Sequence, residues 1–274
     1  ERAMVVSGPL LEETRSAFDG VAATYHRDNV TNPLLAAMRR RTVDAVTARV
    51  PPGGRLLDLG CGPGTDAVSL ATAGYEVVAV DLSPAMVAEA QRRAHVAGAA
   101  GRVQIYQLGL HELAALPPGR VDAAYSDLGA LNCAPDLDRL ARDLADRIRP
   151  GGYLVASVIG KVCPWELAVY AWKGDWARLR VRFSPGFVAV PLERRNVWTR
   201  YLTPGRFISV FARAGFRRRA LRALGLFVPP PYLNHVAARY PAGVAVLQRL
   251  EDGVGGWPGL RALGDHFLIV MERR

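Results

Sequence analysis

From Arg55 to Ile159 the chain alternates short β-type runs with helical periods, and that alternation leaves few folds open. RLLDLG (55–60) is strand-like, and TDAVSLATAG (65–74) reads as a helix ending at Gly74. YEVVAVD (75–81) is a near-continuous apolar run of the kind expected in a strand covered on both faces. SPAMVAEAQRRAHVAG (83–98) opens with Ser83 as N-cap and Pro84 at the first helical position, and closes at Gly98. RVQIYQL (102–108) and VDAAYSD (121–127) follow, then a helix in which Leu137, Leu140, Leu144 and Ile148 recur at helical spacing. PGG (150–152) is expected to stop that helix before the strand YLVASVI (153–159). Strand, helix, strand, helix predicts an α/β fold with a doubly wound parallel sheet. Such sheets bind ligands outside the carboxyl ends of their strands, where Asp58, Asp81 and Asp127 all lie, so the three acids should face one crevice.

After Ile159 the alternation breaks. Residues 161–200 carry Trp165, Trp172, Trp176 and Trp198 without a clear strand. TPGRFISVFARAG (203–215) is a capped helix, with Thr203 before Pro204, and FRRRALRAL (216–224) follows it. A second irregular stretch, roughly 226–264, contains VPPPYLNHV and GGWPGL before the last strand, HFLIVMER. Long excursions in a compact domain usually serve as lids or binding elements.

With 274 residues, half of them hydrophobic and 22% charged, the chain can bury a substantial core, and its composition argues against disorder. No apolar run approaches the roughly 18–20 residues that a membrane-spanning helix needs. The stretch ERAMVVSGPLLEE lacks a basic region followed by an apolar block, so the expectation is a soluble, cytoplasmic protein. Cys61, Cys133 and Cys163 lie far apart with no CxxC spacing, which argues against a disulfide framework or a zinc site. The net charge of +10 is unevenly placed: residues 1–160 balance at −2 and residues 161–274 at +12. That surplus could attract an anionic substrate, an acidic carrier, nucleic acid or a lipid surface, and it also matches the arginine- and alanine-rich composition of a GC-rich genome.

LLDLGCGPGTDA (56–67) packs three glycines at alternate positions, a backbone shape that other residues adopt only at a cost. Gly60, Gly62 and Gly64 give G-x-G-x-G, not the G-x-G-x-x-G of dinucleotide folds, and no GK[ST] follows to grip phosphates. Asp58 in this turn suits a cationic amine, whereas a pyrophosphate would want a bare helix N-terminus. Asp81, about twenty residues on at the next strand end, is placed to accept hydrogen bonds from two ribose hydroxyls. Together they describe a nucleoside joined to an amino acid.

DLGCGPG, AVDLSPAMV, VDAAYSD and RIRPGGYLVASV, in this order, resemble the successive motifs of class I S-adenosylmethionine-dependent methyltransferases over residues 18–160, with a weaker match over 203–274. The resemblance implies a Rossmann-like, seven-stranded, mostly parallel sheet. It also implies a helical N-terminal cap (1–50) and a core (51–274) with insertions near 161–200 and 226–264. Its implied cofactor is S-adenosyl-L-methionine, with S-adenosyl-L-homocysteine as product. By the same resemblance Gly60, Cys61, Gly62 and Gly64 line the cofactor, Asp58 orders the loop or its amine, Asp81 holds the ribose, and Leu82 and Met86 flank the adenine. Leu110 stands where the family commonly has an acid near the adenine amine, leaving that contact to backbone groups or His111. Asp127 and Leu128 match the position beneath the methionine moiety. AFDGVAATYH resembles the family's helical cap, which implies that Tyr25 closes over the cofactor, and Arg40 in MRRRT is expected to reach its carboxylate, with Arg39 and Arg41 competing for that role.

Methyl transfer from a sulfonium needs an aligned nucleophile, exclusion of water and, where the nucleophile carries a proton, a base. Candidate bases are His26, His235 and Asp127; Glu166 is a further one, and His266 reads as structural. Trp165, Glu166, Tyr170, Trp172 and Tyr232 are expected to line an acceptor pocket, and Asn132 either touches the acceptor or shapes its loop. SDLGALN after the fourth strand lacks the segment associated with nucleobase methylation, and SVIGKV lacks a metal-binding Asp-Asn pair. The expected activity is methylation of a small apolar or anionic acceptor at oxygen or nitrogen, with no metal. The alternatives are an RNA methyltransferase using the basic second part and a non-catalytic cofactor-binding protein.

Overall fold

The computed structural model describes residues 8–274, so the first seven residues of the expected cap lie outside it. The strands are β1 (Arg55–Leu59), β2 (Glu76–Asp81), β3 (Val103–Gln107), β4 (Val121–Ser126), β5 (Ile148–Ile159), β6 (Val188–Leu192), β7 (Arg195–Thr199), β8 (Phe216–Leu224) and β9 (His266–Arg273). Seven of them form one sheet in the order β3-β2-β1-β4-β5-β9-β8. β9 runs antiparallel to both neighbours, and the remaining pairs are parallel. The chain reverses its direction of winding between β1 and β4, which opens the ligand crevice at their carboxyl ends.

Helices cover both faces, so the central strands are buried on both sides, as their apolar runs imply. These helices are α1 (Gly8–Thr31), α2 (Pro33–Thr47), α3 (Thr65–Thr72), α4 (Pro84–Val96), α5 (Leu137–Arg147), α6 (Pro164–Trp172), α7 (Trp176–Val181), α8 (Pro204–Arg213), α9 (Asn234–Arg239) and α10 (Pro241–Val254). One core joins Leu57, Ala124, Leu154 and Ile269 of the sheet to α5 and α8. The other joins Leu56, Val77, Tyr125, Val155 and Val270 to α2, α3 and α4. Alternate residues of one strand serve opposite cores, which is the two-residue period of a strand.

The first two helices are pinned across the crevice by polar contacts. Asn32 caps α2, its side chain accepting from Leu34 N at 3.0 Å. Ser83 caps α4 and also donates to Asp19 of α1 at 2.6 Å, while Ala85 N donates to the same carboxylate oxygen at 3.2 Å. The start of α4 and the middle of α1 are thereby held together.

Two expectations are corrected. β5 begins at Ile148, so PGG does not separate helix from strand; Gly151, at φ +75°, lies inside the strand, near a register irregularity between Val121 and Ala123 of β4. Residues 161–200 do contain strands, the antiparallel hairpin β6–β7. Its turn, Glu193–Arg194, carries none of the Asn-Gly or Gly-x signatures of two-residue hairpins, and Glu193 takes φ +51° without them. Pro191 within β6 is tolerated because β6 is an edge strand. No helix among the described residues is long and apolar enough to cross a membrane.

Candidate cofactor and acceptor site

A cavity of about 310 Å³ opens at the carboxyl ends of β1, β2 and β4. Its floor is the loop after β1, and two of the glycines there are demanded by packing. Gly60 has φ +78°, and a Cβ would stand 2.6 Å from the Cβ of Ala130. Gly64 has φ +73°, and a Cβ would stand 2.8 Å from the Cβ of Ala90 in α4. Gly64 is consequently not part of the cavity wall, a correction to its expected role as cofactor lining. Gly62, whose missing Cβ would face the Tyr25 ring at 3.9 Å, does line the cavity with Gly60 and Cys61. Gly64→Ala is expected to cost about 1–3 kcal/mol from left-handed strain alone, with the Ala90 clash added; thermal denaturation measures it, and an unchanged melting temperature would remove this account.

The three strand-end acids do meet. Asp58, Asp81 and Asp127 all line the cavity, together with Asp66 and, alone among the described guanidinium groups, Arg39. Asp81 bridges the two loops: Gly62 N donates to Oδ2 at 2.8 Å and Ser83 N to Oδ1 at 2.9 Å. Each oxygen keeps a second lone pair for a ligand. Asp58 accepts from the buried Tyr125 hydroxyl at 2.8 Å. Asp127 Oδ1 accepts from Thr42 of α2 at 2.9 Å, while its Oδ2 is buried without a partner. Burial, chiefly, pushes the Asp81 and Asp127 carboxyls up to about 6, and Asp58 is raised well above the usual carboxylate range. Burial also raises the Cys61 thiol, which is therefore no nucleophile at neutral pH.

Of the other expected cofactor residues, Tyr25, Leu82, Met86, Leu110, His111 and Leu128 line the cavity. Leu128 takes φ +49° there, an uncommon conformation for a leucine and a mark of local constraint. Arg40 does not line it. The buried face of α2 runs through Leu34, Met38, Thr42 and Val46, which leaves Arg40 exposed toward a separate groove. Its neighbour Arg39 occupies the cavity wall and pairs with Asp66 through two hydrogen bonds, at 2.5 and 3.1 Å.

Neither expected histidine reaches the cavity. His26 Nδ1 is bonded to Thr65 Oγ1 at 2.9 Å and lies behind the wall, and His235 is exposed on α9, a helix that buries only Ala237. The expected acceptor residues are likewise elsewhere. Asn132 is fully buried and spends its amide on Ile159 O, Arg200 O and Ile159 N at 3.0, 2.8 and 2.9 Å, which ties the loop after β4 to the end of β5. Trp165 donates to Phe227 O at 3.2 Å, and Glu166 binds Arg182 at 2.6 and 2.8 Å. Tyr170 is half-buried off the cavity, and Trp172 and Tyr232 are exposed.

The cavity roof comes from residues that the motifs do not mark. Leu11, Thr14, Phe18 and Asn29 of α1 and Val190, Pro191, Leu192, Val197 and Thr199 of the β6–β7 hairpin close it from above. Leu11, Thr14, Phe18 and Tyr25 recur at three, four and seven residues, a helical stripe that periodicity alone could have found. The hairpin offered no comparable signal. Cys163, Glu166 and Asp265, three side chains of metal-ligating type, converge elsewhere, and there the guanidinium of Arg182 binds both carboxylates.

Residues 56–152 match the family described as Methyltransferase domain. Over 157 residues the chain is 37% identical to the demethylmenaquinone methyltransferase of Beutenbergia cavernae, covering 54% of this chain and 58% of that one. It is 35% identical over 128 residues to the ubiquinone biosynthesis O-methyltransferase of Xanthomonas campestris pv. campestris, covering 46% and 52%. The chain thus spans little more than half the length of these curated relatives. A putative S-adenosylmethionine dependent methyltransferase from Listeria monocytogenes shares the fold, with a TM-score of 0.59 at 17% identity over 87% of this chain and 99% of that one. The sheet order and the family match agree: residues 56–152 are similar to methyltransferase domains and lie in a fold shared with an S-adenosylmethionine dependent methyltransferase.

Proposed function

We propose that the protein transfers a methyl group from S-adenosylmethionine to a small, apolar acceptor held under the β6–β7 hairpin. The observation that carries this reading is the charge of the cavity: among the described residues four acidic side chains line it against one guanidinium, and one buried oxygen, Asp127 Oδ2, has no partner among them. Such a site favours a cationic ligand, and a sulfonium nucleoside bearing an ammonium group fits it. Asp81 would hold the ribose through its free lone pairs, Asp127 the ammonium, and Leu82, Met86 and Leu110 the adenine. When bound, the cofactor supplies a methyl group on a positively charged sulfur, whose neutral thioether leaves without acid assistance.

The chain's own contribution is alignment and exclusion of water. α1 and the hairpin roof the cavity with Leu11, Phe18, Val190, Leu192 and Val197, and polar pairs clamp the adjoining α2 onto the floor through Arg39–Asp66 and Thr42–Asp127. Holding two reactants in line can contribute up to about 7–11 kcal/mol in favourable cases. Among the described residues of the roof none is acidic or basic, which supports an apolar acceptor over an anionic one. It also supports a nucleophile that loses its proton to solvent before transfer, such as an acidic phenol or enol, or an amine that reacts in its unprotonated form. The names of the two curated relatives, which concern quinone precursors, are compatible with a phenolic or enolic acceptor. In this reading α1 and α2 act as the cap and the hairpin as the lid of the insertion that contains it.

Calorimetry with S-adenosylhomocysteine tests the cofactor half, and transfer of labelled methyl to a panel of phenols and amines tests the acceptor half; no binding heat would remove the proposal. The pH dependence has a definite sign. Donors on the ligand engage ionised carboxylates, and Asp81 and Asp127 sit at about 6 in the free protein. Affinity should be flat above about pH 7 and fall below about pH 6, by up to about tenfold per unit for each group that must ionise. An affinity that rises on acidification would contradict the assigned carboxylates.

A further inference from the structure

The tryptophans of residues 161–200 are the strongest sequence feature that the site leaves unused. α6 and α7 bury none of their residues fully, although α6 reads PWELAVYAW. Trp172 is 86% exposed, Trp176 58% and Phe183 47%. Single exposed apolar side chains are ordinary, but three large aromatic ones within twelve residues form a patch that calls for a partner. The same stretch carries Lys173, Arg178 and Arg180, all exposed. Against them stands one nearby acid, Asp175, which caps α7 and lies 3.4 Å from Arg178. Glu166 is already committed to Arg182, and Lys173 and Arg180 have no ion-pair partner among the described residues.

We infer that the stretch Trp172 to Phe183, from the end of α6 through α7, is a docking surface for an anionic lipid bilayer. Indole rings prefer the polar–apolar boundary of a membrane, and lysine and arginine beside them are drawn to anionic headgroups. The chain passes from α7 directly into the β6–β7 hairpin that roofs the cavity, so docking would bring the roof near the membrane face. An apolar acceptor dissolved in the bilayer would then have a short path to the site. This last step rests on the proposed apolar acceptor, whereas the docking itself does not.

The experiment is co-sedimentation of the full chain with vesicles of phosphatidylglycerol and phosphatidylcholine, and with phosphatidylcholine alone, without cofactor or acceptor. Binding to the anionic vesicles, a blue shift of tryptophan emission and weakening with added salt are expected. Trp172→Ser with Trp176→Ser should weaken binding by about tenfold or more, and each of K173E, R178E and R180E by about fivefold or more. All five positions are exposed, so circular dichroism and the heat of S-adenosylhomocysteine binding should be unchanged in these variants. Vesicle binding that is absent, or indifferent to both sets of variants, overturns the inference. So does a concentration-dependent dimer, measured by light scattering, that the two tryptophan substitutions abolish, because the patch would then join two copies of the chain. Cofactor binding is read separately, so loss of either result leaves the other interpretable.

Discussion

Arg182→Met is expected to destabilise the protein by about 3–5 kcal/mol, because removing one partner of a buried charge network leaves the others uncompensated. For a chain of this size that corresponds to a melting temperature lower by roughly 6–20 °C. Arg182 is only 6% exposed, and its guanidinium joins three parts of the fold. It donates to Glu166 of α6 at 2.6 and 2.8 Å, to Gly160 O after β5 at 2.9 Å, and to Asp265 before β9 through both its backbone and its side chain. Tyr201 lies against it, with its ring centre 5.0 Å from the guanidinium carbon. Burial alone would raise the Asp265 carboxyl, but His266 beside it, at 2.9 Å, and Arg182 hold it well below the usual carboxylate range. The contribution of a depressed carboxyl is present above its unfolded value and lost as pH falls below about 4, so the gap between wild type and variant should narrow in acid. Adding Asp265→Asn to Arg182→Met should recover part of the loss, since it removes a stranded charge. A thermal melting curve for each variant, by calorimetry or circular dichroism, measures the effect, and equal melting temperatures for wild type and Arg182→Met would refute the network's role.

Asp81→Asn should raise the dissociation constant of S-adenosylhomocysteine by about 10–150-fold, the range expected when hydrogen bonds to a charged acceptor are lost. The carboxylate also receives Gly62 N and Ser83 N, so an amide nitrogen at one of these positions would oppose a donor with a donor. The loop then loses order together with the ligand contact, and the melting temperature of the free protein separates the two effects. A variant that binds as tightly as wild type would withdraw the ribose role from Asp81. Because the ionised form must be present for binding, the variant should also flatten the acid limb of the affinity profile that Asp81 contributes at about 6.

Much of the framework was legible in the chain itself, and for local reasons. Apolar runs bounded by capped helices set β1 to β4 and α3 to α5, since strand and helix periods differ and Ser83, Pro84 and Gly98 punctuate them. The acids at positions 58, 81 and 127 could be assigned to one crevice because parallel strands place their carboxyl ends on the same edge. The roof was not legible in the same way. Leu11, Thr14 and Phe18 come from a helix before the motifs and Val190, Leu192 and Val197 from a hairpin after them, so their meeting depends on packing across about 180 residues of chain.

The same limit explains the misplaced residues. Arg39, Arg40 and Arg41 are equivalent as letters, and only the rotation of α2 against β4 and β5 turns Arg39 inward and Arg40 out. Trp165, Tyr170, Trp172 and Tyr232 have the composition of a pocket, yet the helices that carry them turn toward solvent or toward the 225–228 loop. Local order follows from propensity, capping and periodicity, which act between residues a few positions apart. Which side chains share a cavity follows from the relative placement of whole elements, and that is decided by the burial of surfaces far apart in the chain.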